Sequence, residues 1–464
     1  MIDRPATWVA EAAEGKLLLG NGDGEDGPRR AVIDSREVGP GDLFVGLPGA
    51  TADGGQFAQM ALNAGAWGVL THPRYAEGLE GGTVIAAPDP LAALQSLARG
   101  WRRELAAQVV GVTGSTGKTS TKDILAAMLR PQRAVHFNRE NLNTEIGLPL
   151  TILEAERGTE AMVLEMAMRG AGQIAELVAI AEPDVGLIVN VGPVHLELLG
   201  TIEAVAAAKA ELIRDLRPGA VAVVPANEPL LEPHLREDIE TIAFGPGGDV
   251  SLREFDPGTG VARIDARGTE VVLELSFNEP HNVQNTVAAV AAATALGIAP
   301  EGTVDVRFSS LRGEVLELEG GVTVVNDCYN ANPMSMRAAL EHLATSPAER
   351  RVAVLGTMAE LGPDSARFHR EIGELADRLG IDVLITVGEA ALPIADGFAN
   401  GERYAAGTPE EAGAMLEELG REGDRVLVKG SRSAGLERVL VAAPTARPAR
   451  EGADRRRRDR GARA

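Results

Sequence analysis

Between residues 108 and 302 the chain alternates short, almost continuously apolar runs with stretches of helical periodicity. The apolar runs lie at residues 109–113, 161–165, 185–191 and 221–225, and helical segments at 120–129 and 202–216 separate them. Strands of a parallel sheet are covered on both faces, so they read as continuous apolar runs and not as alternation. The same rhythm returns further on. Runs at 322–327, 351–356, 383–388 and 425–429 are spaced by helical stretches at 334–343, 368–379 and 409–419, which predicts a doubly wound, Rossmann-like domain. The first 105 residues carry shorter apolar runs (42–47, 68–71, 83–87) broken by Gly and Pro, then a helix over 90–105, as expected of a small α/β module. The predicted fold is α/β with three domains, at residues 1–105, 106–305 and 306–445. Residues 446–464 form a predicted disordered tail.

Length agrees with this division, since 464 residues at roughly 100–200 per domain make about three. No apolar run approaches the ~20 residues of a membrane span, and the opening decapeptide carries Asp3, Arg4 and Pro5 where a secretory leader would be apolar. A single cysteine, Cys328, leaves no internal disulfide framework. These features predict a cytoplasmic protein. Net charge is −22; the last 18 residues hold eight Arg against three acids, or +5, so the remainder stands near −27 and should repel nucleic acid. The tail has no apolar anchor and reads as a solvated appendage, with contact to RNA or anionic lipid the alternative.

Composition also singles out lysine. Of 45 basic residues only five are Lys, at positions 16, 118, 122, 209 and 429. A genome-wide preference for Arg codons explains the skew. Each surviving Lys is nonetheless a candidate for work that Arg cannot do, because its amine can lose a proton and be modified. Lys118 lies in VVGVTGSTGKTSTKDIL, where Gly111, Gly114 and Gly117 fall between an apolar strand and a helix. Backbone N–H groups of such a loop (Thr113, Ser115 and Thr116 included) face a polyphosphate, Lys118 neutralises its outer charge, and Thr119 followed by Ser120 opens the helix, the Thr hydroxyl reaching Mg²⁺. Val112 occupies the place of the first Gly in the usual spacing. Downstream, Glu165 ends an apolar strand, His195 follows another, and Lys209 lies on the next helix. Each has an ordinary explanation as a surface acid, a loop histidine or a solvated charge.

Taken together these motifs resemble the Mur ligase family, whose phosphate loop G-x-T-G-x-x-G-K-T matches Gly111 to Thr119 with Val112 included. The resemblance runs to about residue 442. It implies an ADP-forming ligase of peptidoglycan precursor synthesis, using ATP and two Mg²⁺ ions. One ion would be held by Thr119 and Glu165, the other by His195 and a carbamate formed from CO₂ on Lys209. Ser35 and Arg36 in DSREVGPGDLF fall in the nucleotide-sugar-binding segment. Asn141, Asn143 and Thr144 match a substrate-facing stretch, and Asn282 and Asn285 an adenine-facing one. Arg312 matches an Arg that reaches the nucleotide phosphates, and Asp327 an acid on the ribose. The string Tyr329-Asn330-Ala331-Asn332-Pro333, with Lys429, Ser431 and Arg432, resembles the branch that adds D-Ala-D-Ala to UDP-MurNAc-tripeptide. Monomeric action without nucleic acid is implied. Thr357, Gly55 and Gln173 depart from the family's usual Asp, His and Glu. Another ligase of this scaffold, or an ATPase acting on nucleic acid through the Arg tail, are the competing expectations.

Overall fold

A computed structural model describes residues 4–20, 27–139, 141–306, 308, 311, 313–318, 320–441 and 447–448. The described strands build three sheets. Contacts divide the chain into two compact units, Met1–Val191 with Glu203–Val306, and Gly192–Ile202 with Arg307–Ala464. No helix among the described residues is long and apolar enough to cross a membrane.

The first unit carries two sheets. In the smaller, Thr83–Ala86, Gly68–Thr71, Leu43–Val45 and Ala31–Val32 run parallel, and Lys16–Leu19 adds an antiparallel edge. The helix Pro90–Leu105 follows. Asp89 starts it by accepting from Leu91 N–H and Ala92 N–H, and Pro90 occupies the first turn, where no N–H is needed. Its apolar stripe (Ala93, Leu94, Leu97, Ala98, Trp101) is buried. Its far end also reaches the second sheet's helices: Trp101 Nε1 donates to Ala155 O at 2.9 Å. The buried Arg102 guanidinium donates to Ala181 O and Glu182 O at 2.9 Å and to Asp184 at 3.1 Å. Arg102 thereby satisfies carbonyls at the C-terminus of the helix Gln173–Ala181, where a cation also suits the helix dipole.

The second sheet runs, in spatial order, Val135–Phe137, Ala161–Glu165, Gln108–Thr113, Val185–Ile188, Val221–Pro225, Glu240–Phe244 and Val250–Asp256, all neighbours parallel. Beyond Val250–Asp256 the pattern differs from the alternation of parallel strands and helices expected for residues 108–302. Val261–Ala266 and Thr269–Leu275 continue the sheet antiparallel. Burial there alternates by residue, as it must where one face meets water. Arg267 and Gly268, both at positive φ (56° and 85°), make the two-residue turn that matches hairpin twist.

The second unit holds the third sheet, ordered Glu402–Ala406, Val383–Val387, Arg350–Leu355, Asp424–Lys429, Val322–Asn326, Glu314–Leu318. Its first five strands are parallel, with apolar clusters on both faces, and Glu314–Leu318 is antiparallel. The last parallel strand in sequence, Asp424–Lys429, inserts between Val322–Asn326 and Arg350–Leu355, so loops at the carboxyl ends of these three strands meet over one crevice. Of the tail predicted to be disordered, Arg447 and Pro448 instead pair antiparallel with Glu317 and Leu316; the rest lies outside the described residues.

Candidate functional site

The strand Gln108–Thr113 runs into the loop 114–117, and the helix Lys118–Leu129 begins directly after it. Gly117 sits at φ +74°, and a Cβ there would lie 2.7 Å from Asn285 Oδ1. Only glycine allows this approach of the loop to the helix Pro280–Ala295, whose Asn282 and Asn285 are buried. Lys118 Nζ donates to Gly114 O at 2.8 Å. Thr119 Oγ1 donates to Glu165 Oε2 at 2.7 Å, joining the start of the loop helix to the end of the neighbouring strand.

Glu165 is 2% exposed, so every contact to it matters. Asn143 Nδ2 donates to its Oε1 at 2.8 Å. Asn143, expected to face substrate, is thus drawn onto the carboxylate, while Asn141 O and Thr144 O serve as backbone acceptors for Asn143 N–H and Leu148 N–H. Asn138, which the sequence reading passed over, grips the strand end from both sides: Glu165 N–H donates to its Oδ1, and its Nδ2 donates to Glu165 O, both at 2.9 Å. Buried Lys122 donates to Asn138 O at 2.7 Å. No Lys, Arg or His among the described residues pairs with the Glu165 carboxylate. A buried carboxylate beside a hydroxyl, lacking a protein cation, is a donor set that fits a divalent metal ion.

Lys209 lies on the helix Ile202–Arg214 and is 2% exposed. Burial, with Lys118 nearby as a second cause, holds its pKa well below the ordinary lysine value. No hydrogen bond or ion pair with a described residue opposes that shift. Burial thus works against the protonated form of this amine. Two residues on, Glu211 accepts from Gly172 N–H (2.6 Å) and Ala175 N–H (3.1 Å), capping the helix Gln173–Ala181. Gln173 itself accepts from Arg169 N–H and Gly170 N–H. An uncharged amide suffices for that turn.

A second missed residue is Asn190, two positions past the strand Val185–Ile188. Its Oδ1 accepts from Ser115 N–H (3.1 Å) and Thr116 N–H (2.9 Å), and its Nδ2 donates to Thr116 O (3.2 Å) and Thr116 Oγ1 (3.0 Å).

His195 belongs to the second unit, in the segment Gly192–Ile202. It takes left-handed backbone at φ +54°, and its Nδ1 pairs with Glu360. Glu360 also sits at positive φ, on a loop fixed by buried His369: Met358 N–H donates to His369 Nε2 at 2.9 Å, and His369 Nδ1 donates to Ser365 O at 2.7 Å. Of the metal set predicted from sequence, the structure brings together Thr119 and Glu165. Among the described residues no three His, Cys, Asp or Glu side chains converge as a metal site.

Over the crevice of the third sheet, Lys429 Nζ donates to Asp327 Oδ2 at 2.6 Å and Asn330 O at 3.0 Å. Ser431 Oγ donates to Ala331 O and accepts from Ala359 N–H, and Ser431 N–H donates to Thr357 O. The backbone carbonyl of Thr357 makes this tie, whatever its side chain. Asn332 caps the helix Pro333–Thr345 in a reciprocal box with Ser335. Tyr329 N–H donates to Leu311 O, and Arg432 pairs with Glu437. Asp327, Asn330, Asn332, Lys429 and Ser431 are therefore assembled at one sheet edge. Arg312 lies outside the described residues. In the first sheet, Ser35 and Arg36 occupy the loop after Ala31–Val32, with Arg36 paired to Asp34; a Cβ at Gly55 would overlap the Tyr75 ring edge and approach Thr71 Oγ1 to 2.8 Å, so a larger side chain there requires those groups to move.

A glycine-rich loop at the carboxyl end of a parallel strand, with its helix-opening threonine bonded to a buried carboxylate on the neighbouring strand, defines a P-loop nucleotide-dependent fold. Family descriptions agree in order along the chain: "Mur ligase family, catalytic domain" at residues 31–102, "Mur ligase middle domain" at 112–293 and "Mur ligase, glutamate ligase domain" at 311–432. The chain is 35% identical over 452 residues to the UDP-N-acetylmuramoyl-tripeptide--D-alanyl-D-alanine ligase of Bacillus subtilis, covering 95% of this chain and 98% of the relative. It is 38% identical to the protein of that name from Synechocystis, covering 88% and 90%. The crystal structure of MurF ligase from Thermotoga maritima in complex with ADP superposes with a TM-score of 0.80 at 34% identity, covering 89% of this chain and 96% of that one. The chain belongs to the Mur ligase family.

Proposed function

We propose that this chain joins the amino group of D-Ala-D-Ala to the terminal carboxylate of UDP-MurNAc-tripeptide, converting ATP to ADP and phosphate, in cytoplasmic synthesis of the peptidoglycan precursor. The observation that carries this is the Thr119–Glu165 bond at the mouth of the phosphate loop, in a chain collinear over most of its length with relatives named for that reaction.

A carboxylate oxygen of the tripeptide attacks the γ-phosphorus; the bond from that phosphorus to the bridging oxygen breaks and ADP leaves with the electron pair. The D-Ala-D-Ala nitrogen then attacks the acyl carbon, the carbon–oxygen bond to phosphate breaks, and the amine gives up its proton. The first step brings two anionic groups together, and the second sets a neutral amine on a carboxylate-bearing dipeptide against an anionic acyl phosphate, so the protein's part is neutralisation and in-line placement, with no covalent nucleophile. Lys118 supplies charge at the outer phosphates, and Asn282 and Asn285 hold the nucleotide side of the loop. Thr119 and Glu165 would hold one Mg²⁺, and His195 with a carbamylated Lys209 a second; such ions screen phosphate charge. Ser35 and Arg36 receive the nucleotide-sugar. Tyr329, Asn330, Asn332, Lys429, Ser431 and Arg432 receive D-Ala-D-Ala, with Asp327 on the ribose and Arg312 on the phosphates. The protein acts as a monomer.

The carbamate reading is supported by the depressed pKa of Lys209, because only the neutral amine adds CO₂, releasing a proton as the anionic carbamate forms. Lys209→Ala should be inactive and partly restored by short-chain carboxylates; an active Lys209→Arg enzyme would refute the carbamate. For the reaction as a whole, purified protein with ATP and Mg²⁺ should release phosphate only when UDP-MurNAc-tripeptide and D-Ala-D-Ala are both present. Release indifferent to either substrate would sink the assignment.

A further inference from the structure

We infer that Asn190 is a positioning residue for ATP, which holds the phosphate loop in its receiving shape before the nucleotide arrives. Three facts point there. The carboxamide is used at both ends on one dipeptide, with Oδ1 taking the N–H groups of Ser115 and Thr116 and Nδ2 reaching Thr116 O and Oγ1. Asn190 O also accepts from Ser115 N–H at 3.1 Å, so backbone and side chain grip the same point. Finally, Asn190 is anchored independently of the loop, since neighbouring Val189 N–H donates to Thr113 O at 2.8 Å and extends the pairing of the adjacent strand.

Without such a brace, a glycine-rich loop samples many backbone states, and ordering it would be charged against nucleotide affinity. Asparagine suits the task because two N–H donors need an acceptor while a carbonyl and a hydroxyl need a donor. Aspartate offers no donor and would set a negative charge beside the polyphosphate. Leucine would leave Thr116 N–H without its acceptor and Ser115 N–H with the backbone carbonyl of residue 190 alone. The inference deepens the proposed function and rests on the loop being the ATP site.

The test measures ATP and ADP affinity and steady-state kinetics for wild type, Asn190→Ala and Asn190→Asp, with amide hydrogen exchange over residues 113–119 in the nucleotide-free protein. Asn190→Ala should weaken ATP binding about tenfold, the equivalent of one to two net hydrogen bonds. Its KM for D-Ala-D-Ala should stay within twofold of wild type, and exchange at Ser115 and Thr116 should rise while the rest of the protein keeps its protection. Asn190→Asp, nearly the same shape, should bind ATP more weakly than Asn190→Ala. Wild type that fails to bind ATP overturns the reading of the loop itself. Wild type that binds, with Asn190→Ala binding equally well or more tightly, overturns the positioning role alone. So does an Ala variant in which the KM values of all substrates rise together with general loss of protection.

Discussion

Replacing Gly117 by Ala tests the loop geometry most directly. The residue sits at φ +74°, where a side chain costs roughly 1–2 kcal/mol by sterics with its own backbone. The added methyl would also lie 2.7 Å from Asn285 Oδ1 and 3.2 Å from its Nδ2. Asn285 is 7% exposed on a buried helix face and cannot simply swing aside, so the overlap adds about 1–2 kcal/mol. The total is about 2–4 kcal/mol, which at about 2–4 °C per kcal/mol for a domain of this class lowers the melting temperature by about 5–15 °C. Truncating Asn285 separates the two contributions. Asn285→Ala alone loses the 3.3 Å bond to Asn282, a small cost, but in the double variant it removes the overlap and leaves the φ strain. The double variant should be about 1–2 kcal/mol less destabilised than the sum of the singles. Thermal melting of the four proteins closes this cycle. A Gly117→Ala melt within 1–2 °C of wild type, or strictly additive singles, would mean that Asn285 does not define the floor of the loop.

Further tests address other parts of the molecule. Glu165→Gln keeps the volume and the acceptor for Thr119 but removes the charge, so Mg²⁺ activation should shift to at least about tenfold higher concentration, read from a Mg²⁺ titration of phosphate release; an unchanged titration would separate Glu165 from the metal. Trp101→Ala should lower stability by about 3–5 kcal/mol, because a fully buried ring and its bond to Ala155 O are both lost; chemical denaturation that leaves the midpoint in place would contradict the packing. His369 is held neutral by burial, with its pKa lowered from 6.5. The unfolded chain therefore takes up its proton first as pH falls: stability is intact above pH 6.5 and declines below it until the folded form also protonates. A His369→Gln protein should lose less stability than wild type between pH 6.5 and 5, and identical acid profiles would count against this. Cys328, whose thiol is pushed up to about 11 mainly by burial, should resist thiol reagents at pH 8 in the native protein and react once unfolded.

Much of this was legible in the chain because the governing physics is local. Fully apolar runs marked the buried parallel strands, and Asp89-Pro90 fixed the start of a helix that runs as predicted to Leu105. Lysine scarcity drew notice to Lys209, and its burial now supplies a physical reason for the residue type. The antiparallel strands at 261–266 and 269–275 were missed although their period-two pattern and Arg-Gly turn stood in the sequence. Asn138, Asn190 and Glu360 could not have been found from pattern at all. Each acts on a partner 27, 75 or 165 residues away in the chain, and an asparagine beside a strand has no local signature of the backbone it will grip.

The helix that carries Trp101 and Arg102 bears on how this chain can be cut. The family description of the first domain ends at residue 102, inside that helix, and a fragment cloned to such a boundary would present an indole and a guanidinium stripped of the carbonyls that satisfy them. A fragment beginning at residue 106 would in turn bare the end of the helix Gln173–Ala181. Chimeras that exchange the first domain between relatives should therefore carry the pair together with its acceptors around Ala155 and Ala181, since the inheritable part and the foldable part are different lengths of the same polypeptide.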